Sequence, residues 1–302
     1  MTDERAEQNP EAPDPQSRRI FSSQVSEEAP AELELPGAKD LIVDLFGDYI
    51  RYLGSEIKLG HLNELMADFG VEPATTRVTI SRMRKDGWFT TTRTGREMIY
   101  RPTTSMVQML DVGRERIFQD TSPAWTGRWT LLHADISTLD RVEQKALVRD
   151  LVWEGFAAYE SGLWISARDN REDVRSLVEG RGVTDQDVFT SWTGLLERDR
   201  EIARRYWDLE TLDDLYRQFI NNWQRQLCGR TDSPGPEEAL RLRVTLINNY
   251  RKFLFPDPHL PSALLPAGWS GHEARNLFIT AHHDLAGPAM ARVSEIMFRA
   301  DQ

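Results

Sequence analysis

The chain has 302 residues, of which 48 are acidic and 37 basic, so its formal net charge is −11 and its isoelectric point is about 5.1. The one cysteine, Cys228, excludes an internal disulfide and a thiolate-rich zinc site. No apolar run reaches the length of a membrane span, and the first residues lack the apolar stretch of a signal peptide. We therefore expect a soluble, cytoplasmic protein.

Residues 1–37 are predicted to form a disordered acidic tail. Within residues 1–36, nine acidic side chains stand against three basic ones, and Pro, Glu, Ser and Gln are frequent without apolar periodicity. Because the tail holds more than half of the excess negative charge, the rest of the chain is much closer to neutral.

Residues 38–102 alternate helical and strand-like patterns. The predicted elements are, in order, a helix at Lys39–Leu53, a short strand at Glu56–Leu59, a helix at His61–Phe69, a helix between Pro73 and Gly87, and a hairpin formed by Trp88–Arg93 and Met98–Tyr100. This is the element order of a winged helix-turn-helix domain. In that domain the last helix enters the major groove of DNA and the hairpin lies along its backbone.

The charge of this segment supports DNA binding. Between Pro73 and Pro102 there are seven basic residues and two acidic ones. Helical spacing turns Thr76, Ile80 and Met83 inward and leaves the arginines outward. We predict base-edge contacts from Thr75, Arg77, Ser81 and Arg82, and phosphate contacts from Lys85, Arg93 and Arg96. Pattern and charge alone leave one alternative open, a small α+β domain with a solvated basic face.

Residues 103–195 predict a linker helix and a second domain. The linker helix, Thr103–Gln119 within residues 103–124, is expected to pack against the next domain, with a dimer contact as the alternative. Residues 125–195 contain a β-α-β-β-α-β pattern, the order of a ferredoxin-like half-sandwich. Its elements are Arg128–Ile136, Leu139–Trp153, the hairpin Phe156–Ala167, Arg171–Glu179 and Val188–Trp192.

Residues 196–302 are predicted to form a helical carboxy-terminal domain. Its helices are Leu196–Trp207, Thr211–Cys228, Pro236–Phe253 and Gly271–Ala286. The Pro-rich loop Phe255–Trp269 is too apolar to lie in water, and we expect it in a groove beside the helix that carries Arg251. The fold class is therefore α+β and multi-domain: winged helix-turn-helix, ferredoxin-like βαββαβ domain, then α-helical domain.

Several segments resemble the phenylacetic acid degradation repressor family, PaaX. They are FGDYIR at 46–51, EIKLGHL at 56–62, TRVTISRMRKDGWF at 76–89, WTGRWTL at 125–131 and YRKFLFPDPHLPSALLPAGW at 250–269. The resemblance covers residues 38–298 in the family's order. It implies a transcriptional repressor of a catabolic operon, a Cas2-like middle domain and a homodimer on double-stranded operator DNA. Dimerisation is also expected because one small DNA-binding module needs a second half-site to gain affinity.

The resemblance further implies a small-molecule effector, an aryl- or acyl-coenzyme A thioester such as phenylacetyl-CoA, that releases the repressor from its operator. Residues that could meet such a ligand are Arg204, Arg205, Trp207, Tyr250, Arg251 and Trp269. For each aromatic residue the alternative is ordinary core packing. Two departures from the family pattern are the long acidic tail and the recognition-helix residues Val78, Thr79 and Ser81, so the operator need not be shared.

The sequence favours a binding protein over an enzyme. No phosphate-binding glycine loop, nucleophile elbow or HExxH motif is present, and we expect no catalytic residues, metal ligands or cofactor. Asp135, at the end of the first strand of the Cas2-like domain, suggests metal-dependent nuclease activity only weakly, and a turn residue is the simpler interpretation. His272, His282 and His283 lack the i, i+4 spacing of metal ligands. An RNA-binding or scaffold protein using the basic hairpin is the remaining alternative.

Overall fold

The computed structural model describes residues 36–95, 97–118, 124–160, 162–228 and 233–299. The chain is of mixed α+β class and divides into two compact units. The central unit comprises the described residues of Thr121–Leu209 and Phe255–Pro266. The composite unit comprises those of Pro30–Asp120, Glu210–Leu254 and Ala267–Gln302. The domain boundaries derived from the sequence stay a prediction.

The first part of the composite unit combines helices with a three-stranded antiparallel sheet. Its elements are α1 (Ala38–Asp48), β1 (Ile57–Lys58), α2 (Leu59–Ala67), α3 (Pro73–Lys85), β2 (Phe89–Thr94), β3 (Glu97–Pro102) and α4 (Thr104–Phe118). The strand order is β1-β3-β2, and β2 and β3 form a hairpin.

Two bounds in this part differ from the sequence-based prediction. The first helix ends at Asp48 rather than continuing to Leu53, because Tyr49 leaves helical geometry with φ −135°, and a short 3₁₀ turn follows at Ile50–Tyr52. The predicted strand at Glu56–Leu59 is reduced to Ile57–Lys58, since Leu59 already begins α2.

Helix α4 is part of the core of the composite unit. Its Met106 and Leu110 are buried in the same apolar cluster as Phe46 of α1. Gly47 permits this approach, because a Cβ added there would lie 3.3 Å from Cδ2 of Leu110. Sequence reasoning expected this helix to connect the domains and pack against the next one. Its buried face instead packs on the helix that opens its own unit.

The central unit contains a four-stranded antiparallel sheet. Its elements are β4 (Trp129–Ala134), α5 (Arg141–Trp153), β5 (Ala157–Glu160), β6 (Leu163–Ser166), α6 (Arg171–Glu179), β7 (Gln186–Ser191) and α7 (Leu196–Tyr206). The strand order is β5-β6-β4-β7, and every neighbouring pair is antiparallel. This is the predicted β-α-β-β-α-β arrangement. Leu132 of β4 packs with Leu147 and Leu151 of α5 and with Val174 and Val178 of α6.

Helix α7 packs on the sheet, although the sequence assigned residues from 196 onward to the helical domain. Asp199 of α7 accepts a hydrogen bond from Nε1 of Trp129 (2.8 Å), and the Trp129 and Trp207 rings stack at 6.1 Å. The loop 255–266 belongs to the same unit: the Phe255 ring lies 4.8 Å from that of Trp153. Sequence reasoning expected the whole loop Phe255–Trp269 beside the helix of Arg251, whereas residues 255–266 belong to the central unit and Trp269 to the composite unit.

Four further helices complete the composite unit. They are α8 (Leu209–Cys228), α9 (Pro236–Arg251), α10 (Ser270–Asp284) and α11 (Ala286–Met297). The sequence did not predict α11. Pro288 lies in its first turn, where proline is tolerated and a new helix can begin. None of the helices that the structure describes is long and apolar enough to cross a membrane.

The carboxy-terminal helices share one core with the amino-terminal segment. Leu240 and Val244 of α9 and Val293 and Ile296 of α11 are almost fully buried in the cluster that contains Phe46. Helix α11 is also joined to α2, because Arg292 donates from Nε and Nη2 to the two oxygens of Asp68, both at 2.9 Å. The segment predicted to bind DNA is therefore half of a larger unit.

Candidate nucleic-acid interface

Helix α3 has well-defined ends. Pro73 is its first residue, where a backbone N–H would have no helical acceptor. At the other end Gly87 has φ 82°, and the N–H of Trp88 returns to the carbonyl of Met83 at 3.0 Å, as in a Schellman motif. Thr76, Ile80 and Met83 are its buried residues, as the sequence predicted.

The opposite face of α3 is solvent-exposed. Its exposed polar side chains are Thr75, Arg77, Arg82, Arg84 and Lys85, with Ser81 half-buried. Val78 is 70% exposed and lies on the same face. Sequence reasoning did not count Val78 as a contact residue. The signal was available, because a β-branched apolar residue at an outward helical position stabilises neither the helix nor the core.

The basic side chains of α3 have no acidic partners within the described ranges of the chain. Among the residues that the structure describes, Arg77, Arg82, Arg84 and Lys85 form no ion pair, whereas Arg101 of β3 is bound to Glu56 and Lys58 lies 3.2 Å from Glu97. Of the basic residues between Pro73 and Pro102, those of α3 are therefore not neutralised by any described residue, and the charge of Arg101 is offset by Glu56.

The tip of the β2–β3 hairpin lies between Thr94 and Glu97, which are paired. Gly95 has φ 61°, and its carbonyl accepts a hydrogen bond from Nε of the exposed Arg93 at 3.1 Å. The side chain of Arg93 is thus tied to the turn and remains exposed. Arg96, the second predicted phosphate contact of the hairpin, lies outside the described residues.

Three of the predicted effector residues lie in the central unit. Arg204 donates to Glu197 at 3.1 Å, and the guanidinium of Arg205 lies 5.4 Å from the ring of Tyr206. Trp207 is buried against Trp129. The two arginines are accessible to a ligand, but Trp207 is a core residue of its unit.

The other three predicted effector residues lie in the composite unit. The Tyr250 ring is stacked on that of Phe278 at 4.1 Å, and Trp269 packs edge-on against Tyr216. Arg251 donates to Asp44 at 2.7 Å and to Asp40 at 3.1 Å. Tyr250 and Trp269 are buried, so the core-packing alternative describes their contacts in this structure.

A buried ionic cluster joins α1 to α9 and α10. Asp48 lies 2.7 Å from Nε2 of His282 and 3.1 Å from Nη1 of Arg243, and all three side chains are buried. Burial alone would raise the pKa of Asp48, but the bond to His282 and the charge of Arg243 outweigh it and hold the pKa below its ordinary value. His282 is therefore a structural partner of a carboxylate, a pairing that spacing could not reveal.

Asp44 is a second buried carboxyl group on α1. Burial raises its pKa to about 7, although Arg251 and the amide of Asn248 favour the charged form. Unlike Asp48, it therefore changes protonation state near neutral pH.

Asp135 is an exposed turn residue. Its Oδ1 accepts a hydrogen bond from the backbone N–H of Ser137 at 2.9 Å, and bonding to Ser137 lowers its pKa. This supports the simpler interpretation of Asp135. Within the described ranges, no group of three or more His, Cys, Asp or Glu residues is placed to hold a metal ion.

Comparison with known proteins gives matches over most of the chain. The PaaX-like protein family matches residues 37–105, the PaaX protein central Cas2-like domain matches 122–203, and the PaaX-like protein C-terminal domain matches 207–295. The Transcriptional repressor PaaX of Escherichia coli (strain K12) is 32% identical over 262 residues, which are 84% of this chain and 82% of that protein.

A solved structure shares the fold. Uncharacterized protein Rv0674 from Mycobacterium tuberculosis superposes with a TM-score of 0.53 at 21% identity, covering 93% of this chain and 98% of its own. The three domain matches occur in the order in which the PaaX resemblance was seen in the sequence, and the identity extends across both compact units. The chain therefore belongs to the PaaX family.

Proposed function

We propose that this protein is a DNA-binding transcriptional repressor of the PaaX type and that the segment from α1 to β3 acts as a winged helix-turn-helix. The observation that carries the proposal is the exposed face of α3, where four basic side chains lack ion-pair partners in the described part of the chain. The 32% identity to a protein named as a transcriptional repressor supports the same function.

Helix α3 is suited to the major groove. Arg77 and Arg82 have the paired donors that recognise guanine, and the hydroxyls of Thr75 and Ser81 can bond to any base edge. All four lie outside the buried face formed by Thr76, Ile80 and Met83. We assign them to base edges and Lys85 to a phosphate.

The β2–β3 hairpin would act as the wing. Arg93 is held at its tip by the carbonyl of Gly95, which orients the guanidinium for a backbone phosphate. We assign Arg96 to a neighbouring phosphate on the basis of the sequence. Phosphate contacts carry no sequence information but set the register of the protein on the duplex.

A single module of this size contacts one half-site, so we propose that a homodimer binds an operator with two half-sites. An operator-binding regulator of this type would act in the cytoplasm, without catalytic activity or a cofactor. The proposed target is a catabolic operon, and the aromatic-acid class follows from the family alone.

We further propose release by a small effector, an aryl- or acyl-CoA thioester such as phenylacetyl-CoA. Among the predicted contacts, Arg204 and Arg205 are the most accessible to CoA phosphates, because Trp207, Tyr250 and Trp269 are packed in cores. Binding of an acyl group by those aromatics requires a rearrangement that opens their packing. Arg251 would have to exchange Asp44 or Asp40 for the ligand.

A mobility-shift assay tests the proposal. The full chain is mixed with DNA from upstream of its own gene, with and without a panel of CoA thioesters and free aromatic acids. We expect a sequence-specific shift that one class of thioester abolishes. A shift with structured RNA but not with DNA favours the RNA-binding alternative, and DNA degradation in magnesium favours nuclease activity. No shift with any nucleic acid favours a scaffold.

A further inference from the structure

Val78 is the apolar residue of α3 that points most directly away from the core. An α-helix turns by about 100° per residue, so Val78 lies about 140–160° around the helix axis from each of the three buried residues of α3. Its side chain is 70% exposed. Among the described residues, it is not one of those that form or pack against the apolar cluster of the composite unit. Packing in the described part of the chain therefore gives no reason for an apolar side chain at this position.

The side chains next to Val78 on the surface of α3 are polar or basic. Thr75 precedes it by three residues, and Ser81 and Arg82 follow it by three and four, so all three are its neighbours on the helix surface. Lys85 lies on the same stripe, two turns further along. Val78 is thus the one large apolar side chain exposed on α3, in the middle of the face that the proposed function turns toward DNA.

We propose that Val78 is a further specificity-determining residue and that it contacts the C5-methyl group of a thymine in the major groove of the operator. The inference rests on the proposed function and adds to it a base that the arginines and hydroxyls of α3 do not identify. Of the four bases, thymine alone presents an apolar group in the major groove. An apolar side chain at the centre of a recognition face therefore has one complementary base.

The same side chain disfavours the other three bases. The isopropyl group of Val78 has neither a donor nor an acceptor, so it would cover the polar edge of guanine, adenine or cytosine without replacing the hydrogen bonds that water makes there. At thymine the covered group is a methyl group, and burial of apolar surface stabilises the complex. Val78 thus contributes to specificity through both the attraction and the penalty.

The shape of valine suits this contact. On an α-helix a valine side chain strongly prefers one χ1 rotamer, so the two methyl groups of Val78 have fixed positions before DNA binds. The long side chains of Arg82 and Lys85 lose more rotamer freedom on binding. In the proposed complex Lys85 meets a phosphate, and such contacts set the register of the helix on the duplex. In that register Val78 meets one particular base pair.

Removal of single methyl groups from the operator tests the contact. In DNA that the full chain binds specifically, each thymine is replaced in turn by deoxyuridine, which lacks only the C5-methyl group, and the dissociation constant is measured by fluorescence anisotropy. We expect one thymine in each half-site at which wild-type binding weakens by about three- to tenfold, as for the loss of one methyl-sized contact. Val78→Ala should weaken binding to the unmodified DNA by a similar factor, and deoxyuridine at that thymine should weaken it no further.

Two controls distinguish a base contact from a general loss of binding. Val142→Ala makes the same change at a valine of α5 that is 77% exposed. This variant should bind like the wild type and remain sensitive to deoxyuridine at the same thymine. The salt slope of Val78→Ala should equal that of the wild type, because the valine side chain carries no charge and releases no counterion.

The possible failures of the contact and of the proposed function are distinguishable. If the wild type binds its operator specifically but wild type and Val78→Ala respond alike to every deoxyuridine substitution, the assignment of Val78 is overturned and the repressor function stays intact. The same conclusion follows if no thymine methyl group affects wild-type binding. A wild type that binds no DNA sequence specifically would refute the proposed function and the thymine contact together.

Discussion

The arginines of α3 and those of the carboxy-terminal helices have the same chemistry and opposite surroundings. Arg77 and Arg82 are exposed and form no ion pair with any described residue. Arg243 is buried between Asp48 and His282, and Arg292 holds Asp68 through two hydrogen bonds. A count of basic residues therefore does not locate a nucleic-acid surface. The absence of an acidic partner is the better guide, because a cation that is already paired with a carboxylate must give up that partner before it binds a phosphate.

The largest effect is expected inside the core. Replacing Arg243 with Ala leaves the buried carboxylate of Asp48 with less compensation, so the free energy of unfolding should fall by about 3–5 kcal/mol. Urea denaturation monitored by tryptophan fluorescence measures this change in the free energy of unfolding. The double variant with Asp48→Asn should recover part of the loss. A loss under about 1 kcal/mol, typical of surface pairs, would contradict the assignment of Arg243 as structural.

The pH dependence of stability should depend on Asp44. Burial raises its pKa in the folded state to about 7 from 3.8, so folding favours the protonated form. The stabilisation from this group is complete below pH 3.8 and is lost as the pH rises through 7. Between pH 5 and pH 8 the free energy of unfolding should fall by on the order of 2 kcal/mol.

Asp44→Asn is the matched variant for this prediction. It resembles the protonated side chain, so its denaturation midpoint should vary less between pH 5 and pH 8 than that of the wild type. Equal slopes for the two proteins would show that Arg251 keeps Asp44 ionised throughout this range.

The exposed arginines should affect binding and not stability. Arg77→Ala should weaken operator binding by about 1–3 kcal/mol and relax specificity at one base pair, while Arg93→Ala should weaken all sequences alike and lower the salt slope by about one. Fluorescence anisotropy at several salt concentrations distinguishes the two. Arg175→Ala, which removes an exposed arginine of α6 paired with Glu172, should change neither the affinity for DNA nor the salt slope. Unchanged binding by both Arg77→Ala and Arg93→Ala would refute the interface.

The smallest effect is expected at Arg204. Its partner Glu197 is exposed, and exposed ion pairs contribute little to stability. Arg204→Ala should leave the midpoint of thermal unfolding unchanged. If Arg204 meets a CoA phosphate, a higher thioester concentration should be needed to release DNA. The same release curve as the wild type would remove Arg204 from the effector site.

Local signals in the sequence identified most elements. Pro73 and Gly87 marked the two ends of α3, because the backbone requirements of proline and glycine are local. The β-α-β-β-α-β order followed from the spacing of apolar residues along the sequence. The sequence could not show the pairing of Asp48 with His282, because those residues are 234 positions apart and neither spacing nor charge selects one partner among many acids. The sequence-based prediction missed α11 because Gly287 and Pro288 resemble the end of the preceding helix rather than the start of a new one.

Prediction of the candidate site was similarly limited. Helical spacing predicted the outward-facing arginines. Their lack of ion pairs with described residues depends on the fold, in which Glu56 pairs with Arg101 and Glu97 with Lys58. The effector residues were chosen for chemical type, and burial of Tyr250 and Trp269 depends on helices that the sequence cannot dock.

The core shared by α1, α9 and α11 has a consequence for biosynthesis. Val293 and Ile296, which are synthesised long after Leu41 and Phe46, fill the same apolar cluster as those two residues. A nascent chain that ends before α11 exposes that cluster to water and leaves Asp68 without Arg292. The unit that contains α3 therefore cannot complete its folding until α11 has been synthesised, and a product truncated before α11 is a substrate for proteolysis.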